Sequence, residues 1–230
     1  MNTTASPTPW QTALGQRIEQ ALARSRLAHA PLSDAAPGEP ATRWRLPPRP
    51  AADNQVAGAL GELLGGAAAQ AELIAHCLQH YRQQLAGGAP EDDLGAALAA
   101  YLGACRQAMD HEPLTGPRWR AVTQWLKAWV IDELPWDDAP LAERQDAFER
   151  FAVLAVALGE WTVQASRQGK AQQASATWMA RTSLRGQLGL DLPALGAALR
   201  HLDMATAADP SAARGELGAA ADRQHGPGPV

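Results

Sequence analysis

Along residues 140–170, Phe148, Phe151, Ala155, Leu158, Thr162 and Ala165 recur at steps of three and four, with Leu154 and Trp161 beside them. That spacing predicts one long amphipathic helix with a single stripe turned to a core. The same period returns upstream. Leu60, Leu63, Leu64, Ala67, Ala71, Ile74, Leu78, Tyr81 and Leu85 trace one helical face, and Leu94, Ala97, Leu98, Tyr101, Leu102, Cys105 and Met109 trace another. Trp119, Val122, Leu126, Trp129 and Val130 mark a further helix that stops near Pro135, and a turn at Gly169 precedes one across Ala171 to Leu188. A last short helix is expected from Asp191 to about Met204.

Trp10, Leu14, Ile18 and Leu22 fall at steps of four, which predicts a short helix over residues 8–28. Behind it, residues 31–52 mix Pro, Gly and Ala, and the PPRP run favours extended polyproline geometry. The expected fold is therefore all-α: a bundle of five or six helices over residues 53–205, an N-terminal helix on a linker over 1–52, and a disordered tail over 206–230.

Composition agrees with this pattern. Aromatic residues make up only 5% of a chain that is 46% hydrophobic, and eight of them are Trp. Residues that fit a pleated sheet are scarce, so a sheet-built core is excluded. A net charge of −4 lacks the electrostatic footprint of a nucleic-acid binder. The charge is uneven, with six Arg against three acids in residues 1–50 and two Arg against seven acids in residues 51–110. The N-terminus carries no basic segment followed by an apolar run, and the longest apolar run, FAVLAVAL, is too short for a hydrocarbon layer of about 30 Å. The expectation is a cytoplasmic protein without a transmembrane segment, with export by a signal-independent route left open.

The chemistry written in the chain is sparse. Phosphate cradles and the nucleophile elbow are absent, and Cys77 and Cys105 form no C-x-x-C pair. Both thiols fall on helical patterns and read as small buried hydrophobes. Asp110, His111 and Glu112 read as a helix terminus, and Asp132, Glu133, Asp137 and Asp138 as an acidic loop without the calcium-loop pattern. Glu72, His76 and His80, spaced by four, share a helix face and form the candidate metal set. No cofactor is implied otherwise.

Four segments carry a resemblance: RLPPRP at 45–50, DDLGAALAAY at 92–101, ERQDAFERFAVLAVAL at 143–158 and GLDL at 189–192. Their order resembles a poorly characterised family of bacterial helical domains of unknown function, over roughly residues 45–195. The resemblance implies an all-helical fold and supplies no catalytic residue. The resemblance implies a secretory signal in many members, and none is expected from the N-terminal residues here.

With no catalytic motif, the first reading is a non-catalytic protein that binds another protein, as an adaptor, chaperone, immunity protein or accessory factor. The expected contact elements are the N-terminal helix face at Trp10, Leu14, Ile18 and Leu22, together with exposed tryptophans such as Trp125 and Trp136, since Trp is enriched at interface anchors. The alternative is a metal-binding or metal-dependent helical enzyme using Glu72, His76 and His80. A third reading places the N-terminal helix and its arginines on a membrane surface.

Overall fold

A computed structural model describes residues 9–27, 45–47, 49, 67–85, 92–111 and 139–191. Within them lie five helices: α1 (Pro9–Leu27), α2 (Ala67–His80), α3 (Leu94–Asp110), α4 (Leu141–Gln168) and α5 (Lys170–Leu188). The expected helix after Thr115, the acidic loop, Trp125 and Trp136, the short helix after Asp191 and the tail lie outside the described residues.

The fold is all-α, with α3 at its centre. Nearly every residue from Leu94 to Ala108 on α3 is buried: residues 94–105 are all apolar or small apart from the Tyr101 hydroxyl, and the buried Arg106 is paired with Asp110. A helix that is apolar or small all round belongs inside. Its main neighbour is α4, and α5 packs against both. Tyr101 of α3 stacks on Phe151 of α4 with ring centroids 5.5 Å apart, and its hydroxyl lies 2.6 Å from Ser183 Oγ of α5. That hydrogen bond gives the buried phenol a partner, without which its desolvation would cost roughly 1–3 kcal/mol.

The α4–α5 hairpin turns at Gly169, whose φ of 105° strongly favours glycine and whose N–H caps the carbonyl of Ala165. At the far end of α5, Gly189 adopts the left-handed conformation at φ 65° and donates to the carbonyl of Arg185. The GLDL segment is thus a helix stop, and Leu190 within it is buried.

α1 packs on α5. Leu14 and Ile18 are buried in the common core, and Gly15 lies so close to the α5 terminus that a side chain there would overlap the carbonyl oxygen of Leu188. Leu14 and Ile18, read from the sequence as contact residues, are thus buried against the body of their own chain. The side chains of Trp10 and Leu22 lie outside the described residues.

Two further departures from the periodic pattern have local causes. A π-helical turn at Tyr81–Leu85 follows α2 and slips the register of the apolar stripe. Ile74, Leu78 and Tyr81 are therefore buried as expected, while Leu85 is 38% exposed. Before α3, Asp92–Asp93 forms the short strand β2, antiparallel to β1 (Arg45–Leu46), and Asp93 caps α3 by accepting from Ala96 N–H at 2.9 Å.

Candidate functional site

The segments that carry the resemblance converge on one end of the bundle. β1 brings Arg45 opposite Asp93 and buries Leu46, and the chain then runs along α4 so that Gln145 Nε2 donates to the carbonyl of Pro47 at 3.0 Å. Arg49 donates to Asp146 Oδ1 at 2.6 Å and to the carbonyl of Ala142 at 3.1 Å, and its Nε stands 3.9 Å from Glu149 Oε1. Beside it, Arg82 of the π-helical turn grips Asp92 with two hydrogen bonds at 2.9 and 2.7 Å and lies over the Phe148 ring, 5.8 Å from the centroid. Burial pushes the Glu149 carboxyl above the usual glutamate range, the charges of Asp146 and Asp92 add to that, and Arg49 and Arg82 oppose it. Its Oε2 is buried without a hydrogen-bond partner.

This cluster holds segments together. It joins β1 and Arg49, the π-helical turn after α2, β2 just before α3 and the first half of α4 through strand pairing and paired charges. Such pairing offsets desolvation only while every member stays in place, which suits a fold determinant.

A second convergence lies further along α4. His76 and His80 of α2 and Glu160 of α4 have donor atoms all within 4.8 Å of one another. His80 Nδ1 is 3.2 Å from Glu160 Oε1, and the two imidazoles meet edge to face with centroids 6.2 Å apart. The spacing argument places Glu72 with this pair, and the structure puts Glu160 there instead. Glu72 is exposed and precedes His80 by eight residues, about 12 Å along the helix axis, so one ion cannot be reached by all three. Linear periodicity found both histidines. It could not find a ligand from another helix.

Cys77, next in the chain to His76, faces inward and is buried, as is Cys105. Burial, with a smaller contribution from the Glu160 charge, pushes the Cys77 thiol up to about 11, and burial pushes the Cys105 thiol up to about 12. Neither is a nucleophile at neutral pH. His111 caps α3 in the left-handed conformation at φ 58°, and Asp110 pairs with Arg106 at 3.1 Å, as suits a helix terminus.

The third feature is a surface. Both phenylalanines and both tyrosines of the chain are buried, whereas Trp178 of α5 is 64% exposed and Trp161 of α4 is 42% exposed. Lys170, Ala174, Trp178, Arg181 and Arg185 are all exposed and follow one another at steps of four and three, so they form one outward stripe of α5. The helix contains no acidic residue, in a chain of net charge −4.

Fold and sites together define an all-helical domain whose described residues form no recognised catalytic constellation. The chain belongs to DUF6683, a family of unknown function, whose model matches residues 11–195 and therefore takes in α1 as well as the bundle. No curated protein and no solved structure matches. Among the described residues, no helix is long and apolar enough to cross a membrane.

Proposed function

We propose that this is a non-catalytic helical protein that acts by binding another protein, as an adaptor, chaperone, immunity protein or accessory factor, and that the outward face of α5 is its contact surface. The observation that carries the reading is Trp178, 64% exposed at the middle of a basic stripe while every Phe and Tyr of the chain is buried. A large rigid side chain with low ordering entropy is the kind of anchor that dominates interfaces, and Lys170, Arg181 and Arg185 around it select an acidic partner by charge. The partner class is a protein with an acidic surface and an apolar recess that admits the indole.

Capture from native extract with the full chain, compared with a W178A/R181E double variant, tests the reading. An acidic protein is expected with the wild type and not with the variant, and the purified pair should weaken about 30-fold or more on substitution, the size of a hot-spot loss. The affinity should also fall as salt rises. Equal capture by both proteins would overturn the reading, as would association with nucleic acid or anionic vesicles alone.

A further inference from the structure

We propose that His76, His80 and Glu160 form a binding site for one divalent transition-metal ion of the zinc class, bridging α2 and α4. Two imidazoles a helical turn apart supply one side, and the carboxylate arrives from a separate helix 80 residues later in the chain. The three donors already lie within 4.8 Å of one another, with His80 Nδ1 and Glu160 Oε1 at 3.2 Å. An ion held at about 2.0–2.2 Å from each ligand needs donors roughly 3–4 Å apart, which small rotations of these side chains provide without backbone movement. All three are at least part-exposed, so an ion reaches them from solvent.

The donor set selects the ion. Nitrogen ligands disfavour calcium and magnesium, which take oxygen cages, whereas two histidines and one carboxylate suit zinc and its neighbours and leave a coordination position open to water or to a partner's side chain. An ion here would tie α2 to α4 midway along α4, well beyond the paired charges around Asp146. The site is independent of the α5 surface.

Calorimetric titration of the untagged, chelator-stripped full chain with zinc chloride reads this directly. One ion per chain is expected, with H76A, H80A and E160Q each losing about tenfold or more in affinity, since even outer-shell changes at metal sites cost that much, and with E72A unchanged. Zinc should also raise the thermal midpoint of the wild type, and raise that of E160Q by less at the same zinc concentration. Because the substituted side chains are at least part-exposed, circular dichroism of each variant should match the wild type. No saturable zinc binding would overturn the proposal. So would E160Q binding as tightly as the wild type, which would reduce the feature to a histidine pair on one helix surface.

Discussion

The charged end of the bundle and the outward face of α5 use the same residue types to opposite effect. At the bundle end, Arg49 and Arg82 meet Asp146, Asp92 and Glu149 at short range, partly out of water. On α5, Lys170, Arg181 and Arg185 stand exposed around an exposed Trp178 on a helix without an acid. The first arrangement is complete within the chain, and its charges determine which segments lie together. The second has no internal counterpart on its own helix. The segments that carry the resemblance read from the sequence, RLPPRP, DDLG, ERQ and GLDL, contribute strand pairing, ion pairs or helix caps.

Substitutions can break that contrast in order of size. R49A removes the counter-charge of Asp146 and of the buried Glu149 and should cost about 3 kcal/mol by urea unfolding, the range found when one member of a buried pair is lost. A change within 0.5 kcal/mol, about the scatter of an ordinary surface substitution, would make the cluster ornamental. G15A forces a methyl against the Leu188 carbonyl and should cost about 1–3 kcal/mol as α1 shifts off α5, visible as earlier proteolysis within residues 9–27. Unchanged stability and protection would mean that α1 is not seated there.

Glu149 gives a pH signature. Its carboxyl is held above the ordinary glutamate value near 4.3, so between that value and its raised one the folded chain binds more protons than the unfolded chain. Its contribution to stability is thus fully present below about 4.3 and is lost as pH rises through the window. E149Q removes that decline, and its stability relative to wild type should improve as pH rises from about 4.3 through the raised value of Glu149 and then level off. Parallel curves for the two proteins would contradict the burial of an unfavourably placed acid. Smallest of all in stability is W178A, expected to lie within about 0.5 kcal/mol of wild type, because little of its indole is buried. A larger loss would move Trp178 from the contact surface into the fold.

Much of this architecture is legible in the sequence, and the failures have physical reasons. Helical periodicity places α1, α3, α4 and α5 to within a few residues, since each has a stripe that a core must cover. It cannot distinguish a stripe that covers the chain's own body from one that awaits a partner, which is why Leu14 and Ile18 look like contact residues until the packing of α1 on α5 is seen. Leu85 falls off its stripe because a π-helical turn adds a residue that a 3.6-residue period does not count. The strand at Asp92–Asp93 is not visible in the sequence, since two residues are too few to show a period. At the candidate metal site the histidines are visible at spacing four, whereas Glu160 belongs to them only through the packing of α2 on α4. Trp161 and Trp178 stand out by composition, but their exposure depends on which side of each helix the core takes.

Site-specific photo-crosslinking in native extract tests the central claim most directly, with Trp178 kept and a photoreactive amino acid placed at the exposed position Ala174, one turn away on the same stripe, and, as the control, at the exposed position Gln172 of the same helix. The account predicts a crosslink from 174 to an acidic protein, lost in W178A and when Arg181 and Arg185 are reversed in charge, and absent from 172. Crosslinks of equal yield from both positions, or none from 174, would contradict it.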